Sequence, residues 1–289
     1  MINGMRKIII TVILISNVIV ILPVFGDVNV HNSLELIAKK GNVNAQSSLG
    51  QIYMEGLFAS QNNKKALYWL EKAAEGGFIQ AQLMTGEFYY DGLGTAVDYK
   101  KAFYWFEKSA KQHDKTACGY LSIIYYTGKG DIAQDYKKAF YWAEKASVQS
   151  LNGEAQYLLG VMYYKGEGTA IDYTKGIYWL TKSADQSWIP DAQLFLGTAY
   201  YDGKGVPQDY KKAAYYFGEA AQQGKVDGLI KLALMYYKGE GVPKDVFAAE
   251  YLLKNAMDAG SKKANELYKK YDLLKKSGII QIRNIREDK

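Results

Sequence analysis

The feature that most constrains this chain is a phrase of 13 residues that recurs at a fixed interval. It reads DYKKAFYWFEKSA from Asp98, DYKKAFYWAEKAS from Asp135, DYTKGIYWLTKSA from Asp172 and DYKKAAYYFGEAA from Asp209. The copies are 37 residues apart, a period typical of stacked structural repeats. Weaker copies, NNKKALYWLEKAA and DVFAAEYLLKNAM, extend the series at both ends. Six copies predict an array of repeats rather than a domain built around one core.

A second phrase precedes each copy and completes the repeat. It begins with Ala in most copies, carries one or two Tyr near its end and closes with Gly. In the fourth repeat, Ala155, Leu159 and Tyr163 are four residues apart, as on one stripe of an α-helix. The closing Gly suits the left-handed conformation that ends a helix. The closing glycines are Gly56, Gly92, Gly128, Gly166, Gly203 and Gly239. The second phrase therefore predicts the first helix of each repeat.

The phrase that begins with Asp or Asn predicts the second helix of each repeat. Its first residue can accept hydrogen bonds from the free N–H groups at the helix start. Its bulkiest position holds Trp69, Trp105, Trp142 and Trp179, which predicts a buried wedge. The first helix has a matching small position, occupied by Gly50, Gly86, Ser122, Gly160, Gly197 and Ala233. Because Gly inside a helix costs about 1 kcal/mol relative to Ala, we expect close helix packing at this position.

These two phrases predict an all-α fold of two-helix repeats. Counted from the Ala of the first helix, the six repeats are 45–80, 81–116, 117–154, 155–191, 192–227 and 228–263. An incomplete leading repeat at 27–44 precedes them, and a polar capping helix with a basic tail at 264–289 follows. Proline is scarce, and no stretch alternates apolar and polar residues for long enough to predict a sheet.

The motifs resemble those of the Sel-one-like repeat family, relatives of the tetratricopeptide repeats. The pattern AxxxLGxxYxxG followed by DxxKAxxWxxKAA covers about 220 of the 289 residues, in six copies. The resemblance implies a right-handed α-solenoid with a concave face, and an adaptor role toward a protein or peptide. The first repeat departs from the pattern in its loop and the sixth in both helices. Terminal repeats are often atypical because they cap the stack.

The amino-terminal segment, residues 1–26, predicts a secretory signal peptide cleaved after Gly26. Arg6 and Lys7 precede an apolar run that continues to Phe25, and Val24 and Gly26 are small enough for a cleavage site. An uncleaved membrane anchor is the alternative, because the run approaches spanning length. A cleaved leader predicts an exported protein, either periplasmic or secreted.

The net charge of +6 is concentrated at the two ends of the chain. The leader contributes +2 and residues 262–289 contribute +5, which leaves −1 for residues 27–261. This distribution argues against a nucleic-acid partner, although the pI is near 8.9. A weak contact of the basic tail with an anionic membrane surface remains open.

Residues that could carry chemistry are few. His31 and His113 lack a second His or Cys at ligand spacing, so we expect no metal site and no cofactor. Cys118 is the only cysteine, and pairing it with His113 as a nucleophile lacks a matching acid. Some cysteine-rich relatives are linked to β-lactams, but they carry a disulfide in each repeat. We therefore expect no enzyme and no small-molecule substrate. A hydrolase of that branch and a structural periplasmic spacer are the alternatives.

The predicted partner-binding site is the face of the first helices opposite their apolar stripe. With the Ala as position zero, positions two, six, nine and ten share that face. By register with tetratricopeptide-like solenoids they line the concave groove. The predicted groove residues are Tyr90, Tyr126, Tyr157, Val161, Tyr164, Leu194, Tyr201, Ile230, Leu234 and Tyr237. The alternative is that the Tyr at position nine packs between first helices with only its hydroxyl in water. Most of the other tyrosines occupy repeat positions and are interpreted as scaffold.

Overall fold

The computed structural model describes residues 9–15, 18–24, 30–57, 59–147, 153–185 and 189–276. It divides into two compact units, Met1–Ala146 and Ser147–Lys289. The first unit contains two strands and seven helices: β1 (Ile9–Ile15), β2 (Val18–Val24), α1 (Val30–Lys39), α2 (Val43–Glu55), α3 (Asn63–Glu75), α4 (Ile79–Asp91), α5 (Tyr99–Lys111), α6 (Lys115–Thr127) and α7 (Tyr136–Ser147), the last residue of α7 belonging to the second unit. The second contains α8 (Gly153–Lys165), α9 (Tyr173–Asp185), α10 (Pro190–Asp202), α11 (Tyr210–Gln222), α12 (Val226–Lys238), α13 (Val246–Asp258) and α14 (Lys262–Lys276).

The helices confirm the predicted array of six two-helix repeats. Each repeat has a first helix (α2, α4, α6, α8, α10 or α12) and a second helix (α3, α5, α7, α9, α11 or α13). Each first helix begins two residues before the residue from which its repeat was counted, which is Ala in five repeats and Gly228 in the sixth. The second helices begin where the sequence places the capping residue. For example, the Asp98 carboxylate accepts from the backbone N–H of Lys101 at 2.9 Å.

The predicted close approach between the two helices of a repeat is confirmed. A Cβ atom added at Gly86 would lie 2.5 Å from the Phe106 ring, and one at Gly197 would lie 2.5 Å from Phe217. Both aromatic residues follow the position of the predicted Trp wedge and are fully buried. Of the four tryptophans predicted to be buried, Trp69 and Trp105 are buried, whereas Trp142 and Trp179 are only half-buried. The side chain that fills the space above the glycine is therefore the residue after the Trp position, which the sequence analysis did not single out.

Helix α1 packs against α2 in the way that a second helix packs against the following first helix. The Gln46 side chain donates to the carbonyl oxygen of Ala38 at 3.0 Å. One repeat later, Gln82 donates to the carbonyl oxygen of Ala74 at 3.1 Å. The geometry of α1 therefore matches that of α3. Helix α1 lies within residues 27–44, over which the sequence analysis predicts an incomplete leading repeat.

The segment predicted as a leader holds the one departure from an all-helical fold among the described residues. Strands β1 and β2 pair antiparallel, with Ile9 opposite Val24 and Ile15 opposite Val18. The sequence analysis expected no sheet because it looked for alternation. This segment instead consists of a continuous run rich in Ile and Val, whose branched side chains favour extended backbone. None of the helices that the structure describes is both long and apolar enough to cross a membrane.

Candidate interaction surfaces

Three of the tyrosines at position nine, Tyr90, Tyr164 and Tyr201, contact the repeat that follows their own. In the second unit, Tyr164 is only 8% exposed. Its ring centroid is 4.9 Å from that of Tyr173 and 4.9 Å from that of Phe195. Its hydroxyl donates to the carbonyl oxygen of Lys204 at 2.9 Å. The ring of Tyr164 therefore belongs to the packed interior, and its hydroxyl group links two repeats by a hydrogen bond.

Tyr201 repeats this arrangement with charged partners. Its ring is 5.2 Å from the ring of Tyr210, and its hydroxyl donates to the Glu240 carboxylate at 2.7 Å. The ammonium group of Lys238 donates to the same hydroxyl at 2.8 Å. Lys204 and Glu240 each directly follow the Gly that closes the next first helix. The next repeat thus supplies the hydrogen-bond partner of the tyrosine.

Tyr237, the last tyrosine at position nine, contacts the closing helix α14 in place of a further repeat. Tyr237 is buried and stacks on Tyr271 of α14, with ring centroids 3.9 Å apart. Burial raises the pKa of the Tyr237 phenol well above its usual value. Its hydroxyl bonds no group in the part of the chain that the structure describes. Helix α14 therefore covers the ring of Tyr237.

The two tyrosines of the first unit that were predicted to line the groove remain partly exposed to solvent. Tyr90 is half-buried among Tyr99 and Tyr120, each 5.3 Å away between ring centroids. The Lys129 ammonium lies 4.3 Å from the Tyr90 ring, and its hydrogen bond to Tyr90 raises the lysine pKa. Tyr126 is half-buried too, with the Tyr136 ring 5.3 Å away. In four repeats, then, the position-nine ring contacts the Tyr that follows the capping Asp.

The remaining predicted groove residues divide into two groups. Val161 and Ile230 are buried, so their side chains offer no surface to a partner. Tyr157, Leu194 and Leu234 are half-buried, each packed against an apolar cluster on one side. Burial also raises the pKa of the Tyr157 phenol. The half-buried members leave an apolar row on the first helices of the second unit.

On the corresponding face of the first unit, Glu87 places an ionisable side chain instead of an apolar one. It occupies position six of α4 and is half-buried. Burial raises the pKa of its carboxyl to about 7, although a hydrogen bond from Tyr120 opposes the shift. Asp91 and Asp114 raise the pKa further through charge repulsion. This carboxyl therefore titrates near neutral pH.

Cys118 and His113, which the sequence analysis considered for chemistry, differ in their exposure to water. Cys118 is buried, and burial raises the pKa of its thiol, which disfavours the reactive thiolate. His113 is exposed and has a left-handed backbone with φ of 70°. No group of three or more His, Cys, Asp or Glu suited to a metal ion occurs among the residues that the structure describes.

The second helices present a surface that the sequence analysis interpreted as scaffold. One Tyr in each stands directly before the Trp position and is about half exposed or more. These residues are Tyr68, Tyr104, Tyr141, Tyr178, Tyr215 and Tyr251. The signal was available in the sequence, because the same aromatic residue occupies one position of all six repeats.

Six helix pairs, each with Asn or Asp capping the second helix and Gly after the first, define an α-solenoid of the tetratricopeptide-like class. The chain belongs to the Sel1 repeat family, whose model matches residues 43–78, 79–114, 116–149, 153–188, 190–225 and 226–261. Sel1 repeat proteins are generally non-catalytic scaffolds for protein–protein interaction.

Two solved structures are similar over most of this chain. One is c5321, a protective antigen of uropathogenic Escherichia coli with an SLR fold, at 28% identity and a TM-score of 0.74, covering 84% of this chain and 51% of that one. The chain thus spans about half of the length of that antigen. The other is a Sel1 repeat protein from Oxalobacter formigenes, at 26% identity and a TM-score of 0.67, covering 80% and 97% of the two chains. No curated protein sequence matches this chain.

Proposed function

We propose that this protein is an exported, non-catalytic scaffold that holds a protein or peptide segment on the face formed by its first helices. The observation that carries the proposal is the row of Tyr157, Leu194 and Leu234, apolar side chains that are only half-buried. Apolar side chains that stay in contact with water on one face favour a docking surface. Aromatic and aliphatic anchors of this kind supply much of the energy in peptide recognition.

Crosslinking followed by binding measurements tests this face. A photoreactive phenylalanine at position 194 of the full-length chain should crosslink one polypeptide in the native envelope. The same residue at position 171, an exposed loop Ile in the same unit, should not. The polypeptide identified by mass spectrometry is then purified and titrated. Leu194→Ser should weaken its binding by about 10-fold or more, whereas Ile171→Ser leaves binding unchanged. Equal crosslinking at both positions would refute the proposed face.

Export is supported by the Arg6–Lys7 start, the apolar run and the small residues at 24 and 26. Amino-terminal sequencing of protein recovered from the cell envelope or medium should begin at Asp27. Recovery of the intact amino terminus in the membrane fraction would favour the uncleaved anchor instead.

The proposal that the protein is not catalytic is tested against the alternative that it hydrolyses β-lactams. Purified full-length protein is incubated with a chromogenic β-lactam, and its hydrolysis is compared with that of heat-denatured protein. We expect no difference. Turnover above that of the denatured control would support the hydrolase alternative. The Cys118→Ser variant would then show whether the thiol takes part.

A further inference from the structure

The outward surface of the second helices in the first unit has a feature that core packing does not explain. Tyr68, Tyr104 and Tyr141 stand at one position of α3, α5 and α7, and each is between 48% and 52% exposed. Buried positions repeat because every repeat must make the same contact with its neighbours. A side chain that is half in water has no such requirement. An identical aromatic at three exposed positions therefore indicates a role at the surface.

Each of these tyrosines has a lysine four residues later with its ammonium group over the ring. The distances from nitrogen to ring centroid are 5.1 Å for Lys72 on Tyr68, 4.7 Å for Lys108 on Tyr104 and 4.4 Å for Lys145 on Tyr141. Residues four apart share one face of a helix, and the distances suit a cation–π contact.

The Trp that follows each Tyr supports the ring from another side. The Tyr104 and Trp105 centroids are 4.9 Å apart in an edge-to-face arrangement, and the other two pairs are alike. The phenol ring thus has a defined position before any partner arrives. A preorganised side chain loses less conformational entropy on binding, so more of its contact energy contributes to affinity.

The charge around these rings is positive. Helices α3, α5 and α7 carry ten Lys and four Glu between them. Some of these lysines are engaged within the fold: Lys101, for example, lies over the Tyr89 ring at 4.7 Å. The lysines beside the exposed rings remain at the surface. The body of the chain is nearly neutral, so this positive surface is a local property of the second helices.

We infer that the Tyr–Lys surface of the first unit (Tyr68, Lys72, Tyr104, Lys108, Tyr141 and Lys145) docks an acidic polypeptide segment that carries apolar side chains between its acidic ones. The ammonium groups pair with carboxylates, and the ring faces pack on the apolar side chains. This surface lies on second helices of the first unit, whereas the residues of the proposed function lie on first helices of the second unit. Either surface can fail its test without the other.

A polypeptide fits this surface better than the other anionic partners. Glu71, Glu107 and Glu144 each stand directly before one of the three lysines. A nucleic-acid strand has a negative charge on every phosphate and would meet these carboxylates with repulsion. A polypeptide can place neutral or basic residues there. An anionic membrane would favour fully exposed Trp beside the Lys, but Trp69 and Trp105 are buried and Trp142 is half-buried.

Two helices of the second unit provide a matched control, whereas α9 repeats the Tyr–Lys pair, with the Lys182 ammonium 4.9 Å from the Tyr178 ring. Tyr215 and Tyr251 occupy the same position of α11 and α13 and are at least as exposed. Four residues later these helices have Glu219 and Asn255 in place of Lys. They keep the aromatic ring and lack the cation, so they should not bind the acidic segment.

The experiment uses the full-length chain and a fluorescent probe peptide of about twelve residues made of Glu-Glu-Phe repeats. Anisotropy titration compares it with a Gln-Gln-Phe peptide, which should bind about 10-fold or more weakly. Replacing Tyr68, Tyr104 and Tyr141 by Ser should weaken Glu-Glu-Phe binding by about 10-fold or more. Replacing Lys72, Lys108 and Lys145 by Gln should do the same without touching a ring. Replacing Tyr215 and Tyr251 by Ser should change binding less than about twofold.

Circular dichroism confirms that each variant is folded. The inference is overturned if the acidic probe binds no better than its Gln counterpart, or if the control variants lose as much affinity as the first-unit variants. It is also overturned if oligothymidylate or phosphatidylglycerol vesicles bind through the same residues more tightly than the peptide.

Discussion

The hydroxyl of Tyr164 donates a hydrogen bond to the carbonyl oxygen of Lys204, 40 residues further along the chain. Because the same tyrosine also packs its ring on Tyr173 and Phe195, one side chain joins three elements of two repeats. The neighbouring Tyr201 makes an equivalent link to Glu240. These two tyrosines therefore help to hold successive repeats of the second unit together.

We expect Tyr164→Phe and Tyr164→Ala to separate the two contributions. Loss of the hydroxyl should lower the free energy of unfolding by about 1 kcal/mol. Loss of the whole ring should lower it by about 3–5 kcal/mol, because a cavity opens between repeats. Urea denaturation followed by circular dichroism measures both. Tyr215→Ala, at an exposed position, serves as the control and should change stability by less than about 0.5 kcal/mol. A Tyr164→Ala variant as stable as this control would show that the ring is not structural.

Two glycines in helix interiors should respond in opposite directions to the same substitution. Gly197→Ala should destabilise the protein by about 1–3 kcal/mol, because the new methyl group would meet the Phe217 ring. Gly218→Ala should stabilise it by up to about 1 kcal/mol, since the nearest side-chain atom is 4.0 Å away and Ala is the better helix former. Thermal melts of the two variants compare them directly. Equal effects of the same sign would contradict the close approach of α10 and α11.

His113 should be more stable as glycine. Its φ of 70° lies in the left-handed region, which the equivalent Gly77 and Gly224 adopt without strain. We expect His113→Gly to raise the free energy of unfolding by about 1 kcal/mol. His113→Ala keeps the unfavourable backbone and should give no such gain. If instead His113→Gly is destabilising, the imidazole makes a contact worth more than the backbone strain.

The pH dependence of stability should contain a contribution from Glu87. Its pKa is about 7 in the folded protein and 4.5 for an ordinary Glu, so between these values the folded state holds a proton that the unfolded state has released. Stability should therefore fall as pH rises through this window and level off above it. The decline should be of the order of 1–3 kcal/mol.

Glu87→Gln tests that contribution, because glutamine does not titrate. Urea midpoints measured from pH 5 to pH 8 should decline less for this variant than for the unchanged protein. Glu75→Gln, at an exposed site of the same unit, is the control and should leave the pH profile as it was. Parallel profiles for Glu87→Gln and the unchanged protein would rule out the proposed titration.

Much of the fold follows from local sequence signals. The interval between the copies of the phrase starting at Asp98 and Asp135 predicted the repeats, and the capping residues and closing glycines predicted where helices begin and end. The small position at Gly86 predicted the closest approach between two helices. These signals can be read from the sequence because each depends on backbone conformation or on residues within one helix turn.

The candidate surfaces were less accessible from sequence. Helical periodicity assigned Tyr164 to the face opposite the apolar stripe but could not show that Tyr173 and Phe195 cover its ring. It also could not show that Tyr104 points into water while Trp105, the next residue, is buried. The strand pair at the amino terminus was missed because a continuous apolar run suits a strand, a buried helix and a leader equally.

The sequence by itself determined the number of repeats, their helical nature and the ends of their helices, since short-range hydrogen bonds and backbone preferences decide these. Only the tertiary structure decided which tyrosine rings are packed in the interior and which lie at the surface. That distinction depends on residues 30 to 40 positions away, such as Lys204, whose carbonyl oxygen accepts from the Tyr164 hydroxyl. The helix that carries a residue does not specify what lies against it.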